Sequence, residues 1–215
     1  GEGGMVVTND ENLAWEARSF RDHGYDVKER LRLLELESKL MYIHNRVGFN
    51  YRLTESQSAI GIEQLAILAS WHLPNRRRNG RMIVEAFKNH PQVEKVPVDT
   101  KDRENAYWWA PINLRMDRLT VDIKQIAKAA GAEGVPIYTV LWPRMYKEKA
   151  YATQRGFGSL NYPFGDPNAR KIDYTKVSCP TAEQLEKKVL SFFTHPVYEE
   201  KHMQFMIDAV MKVLA

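Results

Sequence analysis

Cysteine, long apolar runs and strong net charge are all scarce in this sequence, and each scarcity excludes a class of protein. The 215 residues include one cysteine, Cys179, so no disulfide can form within the chain, and a cytoplasmic location is expected. One cysteine and six scattered histidines give no zinc-ligand spacing, so no metal site is predicted. No apolar run approaches the roughly 20 residues of a membrane span, and the first residues show no basic-then-apolar leader.

The charge balance indicates small acidic ligands rather than large ones. A formal net charge of +4 is a mild basic excess that suits phosphate-bearing small molecules and is too weak to indicate nucleic acid. The densest basic run, 76–81, is typical of a solvated helix face. Hydrophobic residues at 44% and charged residues at 27% are ordinary globular values, and the length allows one or two domains. We therefore expect neither a nucleic acid nor a membrane as partner.

Periodicity divides the chain into two patterns. Helical spacing predicts helices over 11–23, 54–69, 71–89, 117–134, 182–189 and 198–214, with helical character over 28–40. Pro74 should lie in the first turn of the helix over 71–89 or kink it, and Thr120 is the expected N-cap of the helix over 117–134. Short apolar runs predict strands over 5–8, 93–96, 106–114, 136–141 and 191–195. After residue 93 the order strand, strand, helix, strand is typical of an α+β domain with helices on one face of an antiparallel sheet. The aperiodic stretch 142–173 is expected to be a functional or mobile loop.

The most informative stretch covers residues 48–65 and reads GFNYRLTESQSAIGIEQL. Thr54 and, three residues later, Gln57 form a capping-box pattern, and the apolar helix that follows is expected to be buried. Asn50 and Arg52 lie on the turn before this helix, where a polar pair suits binding an anion. The residues alone leave an alternative open, in which Asn50 caps the turn and Arg52 pairs with a structural carboxylate.

Two segments resemble a known family. The stretch 48–65 resembles the G-x-N-x-R-x-x-E-x-Q-A-A…Q-L segment of the DegT/DnrJ/EryC1/StrS sugar aminotransferases, and the first ten residues, GEGGMVVTND, resemble their G-E-G-G-x-[VI]-x-T segment. These are pyridoxal-phosphate (PLP) enzymes of fold-type I. The resemblance implies an α/β and α+β chain with three parts. They are the end of a large PLP-binding domain over 1–69, a linking helix over 70–92, and a small α+β domain with an antiparallel sheet over 93–215.

The resemblance also implies a reaction. Such enzymes move an amino group from an amino acid, here expected to be glutamate or glutamine, by way of PLP to a keto sugar or keto cyclitol. In the family the PLP lysine and the carboxylate that pairs with the ring nitrogen both lie upstream of the G-E-G-G segment. No lysine of this chain matches that lysine, so we expect a C-terminal portion that carries no catalytic residue and is inactive alone. A homodimer with a shared active site is the implied assembly.

Individual site residues follow from the same resemblance. The family's counterpart of Asn50 donates to the PLP phosphate of the other subunit, and Arg52 is a weaker candidate for cofactor binding. His23, in the sequence RDHG, resembles the R-x-H-G that ends the first helix in many members, so it is expected to line the substrate pocket or to cap the helix. The other substrate candidates lie in a segment that departs from the family's Y-P-x-L-H-like pattern by lacking histidine, and they are Tyr138, Trp142 and Arg144. For Trp142 and Arg144 the alternative is packing within the small domain.

Other functions stay open. Some members of the family carry histidine in place of the lysine and act as PLP-dependent sugar dehydratases. A truncated domain that only oligomerises or binds sugar is a non-catalytic alternative. A nucleic-acid-binding module is the least favoured hypothesis, and strong salt-dependent binding to DNA would be needed to support it.

Overall fold

A computed structural model describes residues 2–36, 43–142 and 144–215, and the chain forms two compact units, Gly1–Ile67 and Leu68–Ala215. The three-part division at 69 and 92 stays a prediction. The helices of the first unit are α1 (Glu11–Arg21), α2 (Val27–Glu35) and α3 (Glu55–Ile67). The helical character predicted over 28–40 is confirmed as far as Glu35, and its last residues, 37–40, lie outside the described residues.

Local capping starts each helix of the first unit. The side chains of Asp10 and Asp26 accept hydrogen bonds from backbone N–H groups in the first turns of α1 and α2. At the start of α3, Gln57 N donates to Thr54 Oγ1 at 3.3 Å, and Thr54 N donates to Gln57 Oε1 at 3.2 Å. The predicted capping box is therefore confirmed.

Two predictions for the first unit are wrong. The segment 5–8 forms no strand, because no strand among the described residues of this unit pairs with it. None of the 13 residues of α3 is buried, although the helix was expected to be. Its largest exposed side chains include Ile60, Ile62 and Leu65, which are 64%, 65% and 70% exposed. The described part of this unit does not supply enough packed side chains to cover an apolar helix.

The second unit is built on a four-stranded antiparallel sheet with the order β1-β2-β4-β3. The strands are β1 (Val93–Lys95), β2 (Trp109–Leu114), β3 (Ile137–Tyr138) and β4 (Val189–Phe193). Its helices are α4 (Leu73–Phe87), α5 (Ile123–Ala132), α6 (Lys149–Ala152), α7 (Pro180–Leu185) and α8 (Glu200–Leu214). A π-helical turn, Leu68–His72, leads into α4, and Pro74 lies in the first turn of α4, as predicted. The antiparallel sheet is confirmed.

The core lies where α4, α5 and α8 pack on one face of this sheet. Burial alternates along β2 and β4, as a half-covered sheet requires. The fully buried large side chains include Ile83, Phe87, Ile112, Leu114, Ile126, Leu190, Phe192, Met203 and Val210. The second unit therefore has a continuous apolar core. No helix of the described residues is both long and apolar enough to cross a bilayer.

Two details of the second unit differ from the sequence predictions. Asp122, not Thr120, caps α5: Gln125 N donates to Asp122 Oδ1 at 2.8 Å, and Asp122 N donates to Gln125 Oε1 at 3.0 Å. Trp108 falls within the strand predicted over 106–114, but it precedes β2 and is 69% exposed. β2 begins at Trp109, after Tyr107 with its left-handed φ of 52°, and the Thr194 hydroxyl donates to the carbonyl oxygens of Tyr107 and Trp108.

Candidate functional site

The turn that follows α1 brings together side chains that are distant in the sequence. His23 and Gly24 have left-handed backbone angles, with φ of 58° and 77°, and Gly24 N donates to Ser19 O at 2.8 Å. The chain near residue 48 passes so close that a Cβ on Gly48 would lie 2.2 Å from Gly24 N. Only glycine fits there, and the segment 49–51 therefore runs directly beside the end of α1.

Backbone pairing fixes this segment. His23 N donates to Phe49 O at 3.0 Å, and Asp22 and Asn50 form an isolated antiparallel bridge. The backbone of Asn50 is thus held by the end of a helix, which leaves its exposed side chain available for a further contact.

A buried carboxylate organises the charges of the site. Asp22 is 6% exposed, and Arg30 Nη1 contacts its Oδ2 at 2.5 Å. The other oxygen, Oδ1, lies 3.5 Å from Arg52 Nη1 and 3.9 Å from His23 Nε2, and no hydrogen bond satisfies it. Two guanidinium groups therefore face one carboxylate, and the cluster has an excess of positive charge.

Arg52 also sets the orientation of the Asn50 amide. Arg52 Nε donates to Asn50 Oδ1 at 3.2 Å, and Arg52 N donates to the same oxygen at 3.4 Å. Two N–H donors can share only the carbonyl end of the amide, so the NH₂ end points away from them. Among the described residues no acceptor bonds to Asn50 Nδ2. The arrangement presents an unused neutral donor beside excess positive charge, which suits an oxyanion.

The remaining candidates lie in the second unit. Tyr138 is the last residue of β3 and packs edge-on against Trp109, with ring centroids 5.0 Å apart. Trp142 is 69% exposed, which leaves its ring free to stack on a flat ligand. Arg144 forms a two-point ion pair with Glu186, from Nε to Oε2 at 2.9 Å and from Nη2 to Oε1 at 3.2 Å. Arg144 would have to exchange this partner before binding an anion.

The segment that carries Arg144 is fixed to α7 by a second contact. The Tyr146 hydroxyl donates to Glu183 Oε1 at 2.5 Å. This hydrogen bond lowers the pKa of Glu183 and raises the pKa of Tyr146, because it stabilises the carboxylate and the protonated phenol. The loop is therefore held by two polar contacts.

Two residues of the site were missed by sequence reasoning. Asp22 stands inside the RDHG motif beside His23, so the motif itself held the signal. Arg30 lies one turn into α2 and carried no signal, because its contact with Asp22 depends on how α1 and α2 pack. No group of three or more potential metal ligands exists among the described residues.

Comparison with known proteins gives a consistent result. The family model described as the DegT/DnrJ/EryC1/StrS aminotransferase family matches residues 1–189. The UDP-4-amino-4,6-dideoxy-N-acetyl-beta-L-altrosamine transaminase of Helicobacter pylori is 34% identical over 91% of this chain and 47% of its own length. The GDP-4-keto-6-deoxy-D-mannose 3-dehydratase of Escherichia coli O55:H7 is 28% identical over 64% of this chain and 37% of its own length.

A solved structure shares the fold. The Helicobacter pylori aminotransferase involved in the biosynthesis of pseudoaminic acid superposes with a TM-score of 0.72 at 21% identity, over 97% of this chain and 47% of that one. The chain spans about half the length, or less, of the curated relatives that it matches.

Proposed function

The chain belongs to the DegT/DnrJ/EryC1/StrS aminotransferase family, and on that premise we propose that it forms part of a PLP-dependent aminotransferase that acts on a keto sugar or keto cyclitol. Enzymes of this family use PLP. The amino donor is an amino acid, glutamate or glutamine. The whole enzyme works in the cytoplasm as a homodimer.

The free donor end of Asn50 is the observation that carries the proposal. When bound, PLP supplies an electron sink through which an amino group passes between substrates. The protein has to hold the phosphate of this cofactor, and Asn50 Nδ2 is an unused donor whose carbonyl end is occupied by Arg52. A neutral amide donates without adding a charge that would compete with other phosphate partners. The residues present therefore fit the phosphate.

The charge of the cluster supports the same assignment. Arg30 and Arg52 face Asp22, so one positive charge is left without an acidic partner in the cluster. A phosphate monoester is a dianion near neutral pH and would supply negative charge to pair with it. His23, whose Nε2 lies 3.5 Å from Arg52 Nη2, lines the same side of the turn and is our candidate for contact with substrate.

The sparse core of the first unit supports an active site that further protein completes. Among its described residues only Ser19, Asp22, Gly24 and Ile43 are buried, and α3 has no buried residue. A unit with so little core needs further protein to cover it. We place the PLP lysine in that further protein, because no lysine of this chain matches the family position. Asn50 then serves the phosphate of the partner subunit.

Subunit mixing tests the proposal directly. Asn50→Ala dimers and dimers of the complete enzyme that lack the PLP lysine are each expected to be inactive in amino transfer from glutamate or glutamine. If Asn50 acts across the dimer, each mixed dimer has one intact site, so random mixing restores about a quarter of the wild-type activity. If Asn50 acts within its own subunit, every site is defective and no activity returns. Failure of the unmodified enzyme to aminate any keto sugar or keto cyclitol would refute the function.

A dehydratase is the second candidate, because the chain is also similar to the Escherichia coli GDP-4-keto-6-deoxy-D-mannose 3-dehydratase. The two reactions give different products. An aminotransferase yields an amino sugar together with the 2-oxo acid of its donor, whereas a 3-dehydratase removes the 3-hydroxyl group of the sugar. Mass spectrometry of the product separates them. A chain that only oligomerises or binds sugar would give neither product.

A further inference from the structure

One face of α4 carries basic side chains toward the junction of β4 and α8. His72, Arg76 and Asn79 are spaced i, i+4 and i+7, so they lie on the same side of the helix. Asn79 is fully buried, and its Nδ2 donates to His195 O at 3.0 Å and to Tyr198 O at 3.3 Å. These bonds hold this side of the helix against the segment 195–198.

His195 offers a free donor to this region. Val197 N donates to His195 Nδ1 at 3.4 Å, so the neutral ring carries its proton on Nε2. The ring stacks on Phe193 with centroids 5.8 Å apart, which fixes its plane. Burial lowers the pKa of His195, and the positive charges of Arg76 and His72 lower it further.

Arg76 has no counter-charge. Its Nη1 is buried and has no hydrogen-bond partner, and burial alone lowers the pKa of its guanidinium. No ion pair among the described residues includes Arg76, whereas Arg77 and Arg81 both pair with Glu104. Glu199, four residues after His195 in the sequence, pairs with Lys201 Nζ at 2.8 Å and not with Arg76. A buried N–H group without an acceptor is costly unless an anion or water completes it.

We propose that His72, Arg76 and His195 form a binding site for a small phosphate-bearing anion. All three residues belong to the second unit, whereas Asn50 belongs to the first. The Arg76 guanidinium, which is partly exposed, supplies charged donors, His195 Nε2 supplies a neutral one, and His72 adds a third basic group. A guanidinium with unused N–H groups matches phosphate oxygens better than an ammonium does. The π-helical turn that ends at His72 fits such a site, because these turns are frequent at functional positions.

Histidine-selective NMR of the full 215-residue chain tests the site with inorganic phosphate as the probe. Ionic strength is held constant with sodium chloride. We expect saturable shifts of the His72 and His195 ring signals and a higher pKa of His195 in the phosphate-bound protein, because a bound anion favours the imidazolium. Arg76→Gln should weaken phosphate binding by about tenfold or more, since a charge-assisted hydrogen bond is lost.

A matched control separates a local site from general charge. Arg155 is exposed and has no side-chain partner among the described residues, so Arg155→Gln removes the same charge and should leave phosphate affinity unchanged. His195→Asn, which leaves α4 unaltered, should weaken binding as well and serves if Arg76→Gln unfolds. Asn50→Ala should leave the phosphate dependence of the His72 and His195 signals unchanged, which keeps this result independent of the proposed function.

Three results would overturn the inference. They are shifts that do not saturate with phosphate, equal shifts with chloride alone, and an unchanged affinity in both Arg76→Gln and His195→Asn. A parallel titration with glycerol phosphate identifies the form of the anion. Tighter binding of glycerol phosphate supports a site for phosphate monoesters, and tighter binding of inorganic phosphate supports a site for the free ion.

Discussion

Replacing Arg52 with methionine should weaken the binding of PLP without unfolding the site. The substitution removes the donor that holds Asn50 Oδ1 at 3.2 Å and one of the two guanidinium groups that face Asp22. Arg30 Nη1 remains 2.5 Å from Asp22 Oδ2, so the buried carboxylate keeps its shorter ion pair. The loss is therefore expected in cofactor affinity rather than in stability.

The size of the effect follows from the exposure of Arg52. Its side chain is 48% exposed, so solvent screens its attraction for a phosphate to about 1 kcal/mol or less. Loss of the hydrogen bond that orients the amide adds about 0.5–1.5 kcal/mol. Together these give about 1–2 kcal/mol, or roughly 5- to 30-fold in the Kd for PLP. Asn50→Ala removes the donor itself and should cost more.

Equilibrium dialysis on the complete enzyme measures the effect, with pyridoxal as the ligand that lacks the phosphate. Because Arg52 acts in part by orienting Asn50, the double variant should cost less than the sum of the two single substitutions. Arg46→Met is the matched control, since Arg46 is 43% exposed and pairs with Glu16 at 3.6 Å. Equal losses for pyridoxal and PLP, or additive effects of the two substitutions, would refute the reasoning.

Two further predictions concern the second unit. Phe87→Ala should lower the free energy of unfolding by about 3–5 kcal/mol, because Phe87 is fully buried. Phe205→Ala, at a 54%-exposed position, should change it by under about 1 kcal/mol. Urea denaturation of the two variants measures the difference. Burial lowers the pKa of His90, so the unfolded chain takes up the proton first, and stability should fall as the pH drops through about 6.5. His90→Gln should flatten this decline in urea unfolding at pH 5.5 and 7.5, and an unaltered slope would contradict the assignment.

Short-range signals predicted the elements well. The capping box of Thr54 and Gln57 formed as expected, since its partners are three residues apart and need nothing else. The cap of α5 was misplaced from Asp122 to Thr120 because both residues are competent caps and only the packed helix selects one. The predicted strand over 5–8 failed for a different reason, since a strand needs hydrogen-bond partners from elsewhere in the chain.

The sequence by itself determined the family, and its motifs contain the candidate residues His23, Asn50 and Arg52. Tertiary structure decided how they work together. Asp22 and Arg30 join the site only because α1, α2 and the segment 49–51 meet, and the same meeting turns the donor end of Asn50 outward. From the sequence, Arg76 is predicted to belong to a solvated basic run. In the structure, the packing of α4 buries one of its nitrogens without a partner. Motifs are local in sequence, whereas charge balance and amide orientation depend on which side chains the fold brings within a few ångströms.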